Sequence, residues 1–364
     1  MKILMGMPSP DSWGGPIACE PPVVDALRPM IDELRAEVYV YGDKKRATPT
    51  IMRVKRVLKT AFRFRKLIRS GDFDIVHLNT AFDRRSVLRD AASIFLIGRT
   101  RARYFLKIHG ASPEQFAKRS MLFDPLIRFL GSRVSGFGVH TVEEIEGLES
   151  IGLDRSRFHV MRNAIVVNNA KPDGFVRTQK EPDEIFRFLF ASRFIDTKGV
   201  LETIEACSIL KQRGVRFTLK CVGDGLLKER AEALVSELEL GGSIDLTGYI
   251  PAGDLDRLFF ETDILVFPTS HAEGFPIVLF NAVAAGMPIV TTRTRAANDH
   301  LAEPANCLFC TAQPENIADR LAELIGSKEL RTVMSQENVR FGESLSPARM
   351  AEEYLEIYQR VMAQ

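Results

Sequence analysis

Short, continuous apolar runs alternate with longer amphipathic stretches along nearly the whole chain, and the pattern occurs twice. In the first half, runs at 2–7, 36–41, 74–79, 104–109, 134–139 and 158–161 read as strands, with helical patterns at 51–69, 84–97 and 113–130. The second half repeats the alternation. Its strands read at 185–191, 217–222, 244–246, 264–267, 288–292 and 308–310, with helices at 199–212, 226–238, 255–261, 276–285 and 314–325. Strands that are apolar throughout, rather than on alternate residues, must be covered on both faces. Parallel strands joined by crossover helices meet that need. The expectation is an α/β chain with two Rossmann-like domains.

The length agrees, since 364 residues exceed one ordinary core and two domains of about 170–180 residues fit the usual range. Residues 168–183 break the rhythm with two Pro, one Gly and little apolar content, and read as a linker. The expected domains are 1–167 and 184–345, followed by an amphipathic helix at 346–364 that crosses back to the N-terminal domain. Ser346 stands at that helix's cap position and Pro347 in its first turn. Open parallel sheets carry ligands beyond the C-terminal ends of their strands, so the ligand is expected in a cleft between domains that face each other.

No apolar run approaches the roughly 20 residues that span a bilayer. The stretch 1–7 runs directly into a strand pattern and lacks the apolar region of a signal peptide. Cys307 and Cys310 form a C-x-x-C, but Leu308 and Phe309 between them read as buried strand, which leaves little for a redox or metal role. A cytoplasmic setting is expected. Charge is uneven: residues 1–170 hold 28 Lys+Arg against 18 Asp+Glu, and the remainder 21 against 29. Two halves of opposite sign suggest domains with different partners.

Much of the positive charge lies at 44–71, with eleven Lys or Arg and no acidic residue. Ile51, Val54, Leu58, Ala61 and Ile68 recur there at helical spacing. A charge run is usually a solvated face. One that also carries apolar residues suits adsorption to an anionic lipid surface, and the expectation is a peripheral face on the inner side of the cytoplasmic membrane. Nucleic acid is not expected as a partner, because no groove-reading motif accompanies the charge.

Two loops carry the chemistry. One runs from Pro268 through Glu273 and Gly274 to Asn281, Gly286 and Pro288. A strand ends at Pro268 and Gly274 is expected to open a helix, placing Glu273 and Asn281 eight residues and roughly 12 Å apart. That is close to the sugar-to-ribose span of a nucleotide-sugar, and a helix start between them offers N–H groups to a phosphate. Capping alone would also explain an acidic residue there. The other loop places Arg193 and Lys198 before Gly199, where both can converge on one anion. A solvated basic loop is the bland alternative. Asp72 and Asp74 form an Asp-x-Asp, but it opens a strand and points away from the ligand-bearing end.

In these motifs the chain resembles the retaining family-4 glycosyltransferases of GT-B fold, over nearly its whole length and most strongly at 185–292. Their signature is a Glu, seven residues and a second Glu, followed by Ala, small residues, Gly and Pro. It matches from Glu273 to Pro288, except that Asn281 replaces the second Glu. The resemblance implies that Glu273 contacts donor-sugar hydroxyls, Asn281 the ribose, and Arg193 and Lys198 the pyrophosphate. An Asn offers one acceptor oxygen where a carboxylate offers two, a loss on the order of 1 kcal/mol in donor binding. By the same resemblance His109 hydrogen-bonds the donor sugar. Gly14, Gly15, Asn163, Gly223, Gly274, Phe275, Pro276 and Ile277 line the donor, although Ala164 replaces the usual Gly after Asn163.

The activity implied is hexosyl transfer with retention, from a nucleotide-sugar (UDP favoured over GDP) to a glycan or lipid-linked acceptor in cell-surface polysaccharide biosynthesis. No metal and no separate cofactor is expected, because the two cations take the leaving diphosphate. A nucleotide-sugar epimerase of the same fold and a non-catalytic nucleotide-sugar-binding subunit stay open as alternatives. A nicotinamide oxidoreductase would need a G-x-G-x-x-G after the first strand, which is absent.

Overall fold

In the computed structural model, which describes residues 1–10, 15–40 and 49–364, twelve strands form two six-stranded parallel sheets. The first contains β1 (Lys2–Pro8), β2 (Glu33–Val40), β3 (Ile75–Thr80), β4 (Arg103–Ile108), β5 (Val134–Val139) and β6 (Phe158–Val160), in the order β2-β1-β3-β4-β5-β6. The second contains β7 (Phe186–Ala191), β8 (Phe217–Val222), β9 (Ile244–Gly248), β10 (Ile264–Phe267), β11 (Ile289–Thr292) and β12 (Leu308–Cys310), in the order β12-β11-β10-β7-β8-β9. Interior strands β3 and β10 are buried at every residue, β10 through an unbroken apolar run and β3 with His77, Asn79 and Thr80 buried as well. In each sheet the chain order reverses once: between β1 and β3 in the first, and between β10 and β7 in the second. Helices flank both sheets, giving two Rossmann-like α/β units, as the alternation implied.

The sheets belong to two units, Met1–Ala164 with Ser346–Gln364, and Ile165–Leu345. The chain therefore changes unit at Ala164, ahead of the stretch read as a linker. Residues 168–183 are part of the second unit. The Arg177 guanidinium donates to the carbonyls of Phe259, Thr262 and Ala285, and the Lys180 ammonium to Asp263 at 2.7 Å. Polar composition imitated a tether, but these long side chains reach back to free helix and strand ends.

Three other local differences have physical causes. Residues 113–130 are not one helix: a turn at Pro113–Phe116 precedes a helix at Phe123–Arg133. The Ser120 amide donates to Asp124 and the Phe123 amide to Ser120, which starts the helix afresh. β2 begins three residues before the expected 36, because its half-exposed edge alternates polar and apolar residues. A helix at Gly15–Leu27 was hidden by Pro21 and Pro22 within it, and packing of Cys19, Val23, Val24 and Leu27 outweighs that local cost.

The closing helix, Pro347–Ala363, packs in the first unit against the Gly15–Leu27 helix and buries Met350, Tyr354, Ile357, Tyr358 and Val361. Its Tyr358 hydroxyl lies 2.6 Å from Nδ1 of His77 on β3. Complete burial pushes the His77 imidazole down to about 4. The folded state thus refuses a proton that the unfolded chain accepts below about pH 6.5. Stability from this site is whole above that pH and falls as pH drops toward 4. In His77→Gln the decline in urea midpoint between pH 7 and pH 4.5 should be shallower. An equally steep decline would remove His77 as a cause.

Candidate active site

In the second unit, β7 and β10 are neighbours at the point where strand order reverses, and the loops after their C-terminal ends are tied together. The Ser270 amide donates to the Thr197 carbonyl at 2.9 Å, and the Thr269 hydroxyl to the same oxygen at 3.0 Å. Gly199 has φ of 78°, and a Cβ there would stand 2.6 Å from the Pro268 carbonyl, so the Lys-Gly pair requires a glycine for this close approach. The loop after β8 joins the same cluster. The Ser192 amide donates to Val222 and the Phe194 amide to Asp224, each at 3.0 Å. Gly223, at φ of 151°, has no room for a Cβ against the Ser192 carbonyl.

These ties bring Lys198 and Glu273 together as a salt bridge, although 75 residues separate them. Both are largely shielded, at 7% and 15% exposure. Arg193 is exposed and carries no side-chain hydrogen bond or ion pair among the described residues. The Glu273 carbonyl accepts from the Ala296 amide at 3.2 Å, anchoring the loop to the Arg295–His300 helix. That loop also corrects one expectation. Gly274 does not open a helix: Pro276 caps a helix at Ile277–Ala284, so the span from Glu273 to Asn281 is only partly helical and the 12 Å figure does not apply. Phe275 is buried against the Phe280 ring at 3.8 Å. Asn281 is buried, with its amide 3.5 Å from the half-buried Asp256, whose carboxyl burial pushes up. Asp256 went unnoticed in the sequence because it lies on a helix with no motif.

The first unit holds a second polar centre beside its own reversal point. His109 follows β4, and its Nε2 lies 2.7 Å from the Asn79 side-chain oxygen. The Asn79 amide nitrogen donates to the Gly6 carbonyl at 3.0 Å, so that oxygen is an acceptor. Nε2 therefore carries the proton, and Nδ1, buried without a partner, is left as a lone-pair acceptor. Burial first, then the nearby Lys107 charge, holds His109 well below the usual imidazole range. The ring is neutral at pH 7 and suited to accept from a hydroxyl.

Lys107 is wholly buried on β4 and paired with the equally buried Glu20 at 2.7 Å. It also donates to Asn163 at 2.8 Å and to the Tyr354 hydroxyl. Asn163 is thus a buried bridge, with its amide nitrogen 3.5 Å from His140. A lone Lys within Tyr-Phe-Leu-Lys-Ile was the visible signal for this centre, but its partners lie 87, 56 and 247 residues away. Cys19, Glu20 and His109 bring possible metal-ligand atoms within 4.8 Å of one another. Lys107 already pairs with one oxygen of that carboxylate, and burial pushes the Cys19 thiol up to about 12. Cys307 and Cys310 are free, buried thiols also pushed up to about 12. Asp74 accepts from the Lys2 amide at 2.7 Å, a structural role. Gly15 opens the Gly15–Leu27 helix, and Gly14 lies outside the described residues.

Comparison with known proteins accounts for both halves. The model for glycosyl transferases group 1 matches residues 175–340, and that for Glycosyltransferase Family 4 matches residues 22–169. The chain belongs to this glycosyltransferase family. It is 29% identical over 151 residues to the amylovoran biosynthesis glycosyltransferase AmsK of Erwinia amylovora, covering 40% of this chain and 36% of that one. A D-inositol 3-phosphate glycosyltransferase of Corynebacterium urealyticum is 24% identical over 239 residues, covering 60% of this chain and 55% of the other. The matched stretch thus spans little more than a third of the length of AmsK. Among solved structures, Anabaena HepE with UDP and glucose has a TM-score of 0.72 at 16% identity, covering 98% of both chains. A sucrose-phosphate synthase of Thermosynechococcus elongatus has a TM-score of 0.74 at 14% identity over the full length of both. These likenesses establish the fold.

The buried ion pair yields a direct test. Lys107→Met leaves Glu20 charged and unpaired, and should cost about 3–5 kcal/mol in urea unfolding. Adding Glu20→Gln should recover most of that loss. A single variant as stable as the unaltered chain would show that the pair carries no such constraint.

Proposed function

We propose that this chain transfers a hexosyl group from a nucleotide-sugar, with UDP favoured over GDP, to a glycan or lipid-linked acceptor in cell-surface polysaccharide biosynthesis. The observation that carries the reading is the Lys198–Glu273 pair at the reversal point of the second sheet, with Arg193 unpaired on the same loop. Ligands of open parallel sheets bind at such points. A diphosphate is a stronger partner for Lys198 than one carboxylate, so donor binding redirects the ammonium. Glu273 is then free to accept from sugar hydroxyls. Arg193 and Lys198 stabilise the charge that develops on the leaving diphosphate, the task a metal performs elsewhere. Asn281, held by Asp256, offers its remaining amide groups to the ribose, and the His109 lone pair accepts from a donor hydroxyl. Retention of configuration and independence of metal and cofactor follow from the family reading. HepE, crystallised with UDP-glucose, and AmsK, named for a polysaccharide, support the donor and the pathway class.

Thermal-shift panels with UDP, GDP, ADP and dTDP, each with and without EDTA, check donor class and metal dependence together. UDP should protect most, and EDTA should change nothing. Arg193→Ala or Lys198→Ala should abolish protection. Glu273→Ala should keep it while transfer falls at least about 100-fold. Normal transfer by Glu273→Ala would refute the role given to that carboxylate.

The acceptor side is proposed to work at an anionic membrane face, as a peripheral protein on the cytoplasmic side. No helix among the described residues is long and apolar enough to cross a membrane. The helix Thr50–Ser70 exposes Ile51, Met52, Val54, Leu58 and Phe62 among basic residues, which suits adsorption at a lipid surface. Residues 44–48 of the basic stretch lie outside the described residues. The full chain should float with vesicles containing phosphatidylglycerol and stay behind with neutral ones. Equal recovery from both would count against membrane docking.

A further inference from the structure

The helix Ala252–Glu261 starts beyond the C-terminal end of β9, the end of the second sheet where ligands are received. Asp256 stands in its second turn, half-buried, with one carboxylate oxygen 3.5 Å from the Asn281 side-chain nitrogen. Asn281 is buried on the helix Ile277–Ala284, which follows the Glu273 loop. Among the described residues this stretched contact is the whole of the hydrogen bonding at the Asp256 side chain, and Asp256 has no ion pair. The cation beside it in sequence, Arg257, lies 3.8 Å from Asp254 instead. Burial pushes the Asp256 carboxyl up, and no neighbouring charge offsets that cost. A carboxylate so placed ordinarily finds a cation or several donors. Attraction to a helix start would explain an acid in the first turn, but Asp254 already fills that place.

The pair also has a definite polarity. A carboxylate only accepts, so Asn281 turns its nitrogen toward Asp256 and its oxygen away. That oxygen has no hydrogen bond among the described residues, and neither has the second oxygen of Asp256. Two acceptors on touching side chains call for a ligand that brings two adjacent donors, as a vicinal diol does.

We propose that Asp256 is the ribose-selecting carboxylate of this chain and accepts, together with Asn281, from the 2′- and 3′-hydroxyls of the donor nucleotide. The inference rests on the nucleotide-sugar reading above and adds to it the residue that tells ribose from deoxyribose. In that reading Lys198 and Arg193 take the diphosphate and Glu273 the sugar, which leaves the ribose hydroxyls for Asp256 and Asn281. The helix Ile277–Ala284 carries no acid of its own, so the carboxylate comes from a neighbouring helix 25 residues earlier in the chain. A hydroxyl bonded to it makes a charge-assisted bond, roughly twice as strong as a neutral one. A nucleotide lacking the 2′-hydroxyl leaves an acceptor desolvated and unmatched.

Calorimetry on the full chain compares UDP with 2′-deoxy-UDP and GDP with 2′-deoxy-GDP, so the result does not depend on the base. The ribonucleotide should bind at least about tenfold more tightly than its deoxy counterpart. Asp256→Ala should weaken the ribonucleotide by about that factor and leave the deoxy form nearly unchanged, at the same unfolding temperature. Asp256→Asn, which keeps the shape and loses the charge, should fall between. Asp256→Ala/Asn281→Glu supplies a carboxylate from the other helix and should restore the preference, a rescue that a merely structural Asp256 would not show. Equal binding of ribo and deoxy forms by the unaltered chain would overturn the proposal and spare the nucleotide-sugar reading. So would an unchanged preference in Asp256→Ala, or equal weakening of both forms. Binding of none of the four nucleotides would overturn that reading itself, and this inference with it.

Discussion

The placing of charge in the second unit depends on one tether, the pair of hydrogen bonds from the loop after β10 to the Thr197 carbonyl after β7. Neighbouring parallel strands deliver their following loops to the same end of the sheet, but adjacency alone does not set two side chains against each other. The shared carbonyl and the glycine-only approach of Gly199 to Pro268 do so. Lys198 and Glu273 then neutralise each other in a poorly solvated place. Shielded from water, such a pair is costly to break by removing one partner.

The first unit uses a buried ion pair differently. Lys107 and Glu20 are both inaccessible to solvent; both bond the Tyr354 hydroxyl, and Lys107 also donates to Asn163. Such a pair adds little net stability over an apolar equivalent, yet breaking it is expensive. Its effect is to join β4, the Gly15–Leu27 helix and the closing helix into one arrangement beside His109. The unpartnered Nδ1 of His109 is the outward consequence, a fixed acceptor in a neutral ring. The two polar centres therefore differ in kind: one is a shielded ion pair between two loops, the other a rigid tautomer.

Much of this was legible in the residues. Unbroken apolar runs such as Ile264–Phe267 identified parallel strands because burial on both faces leaves no room for alternation. Arg193, Lys198 and Glu273 stood out because charged residues just after strand ends have few structural reasons to be there. The edge strand β2 and the proline-containing Gly15–Leu27 helix were obscured, since tertiary packing overrode weak local preference in both. The stretch 168–183 misled because polar, proline-rich composition looks the same whether or not Arg177 and Lys180 find partners.

By itself the sequence determined the class of fold, the number of sheets and the loops that carry charge, all of which follow from periodicity and from residue types beside it. Only the tertiary structure decided which charges meet. The partner of Lys198 lies 75 residues away and that of Lys107 lies 87 away, and no local pattern encodes such a distance. Strand order set those meetings, because it chooses which strand ends become neighbours, and strand order is a property of the packed sheet rather than of any segment within it.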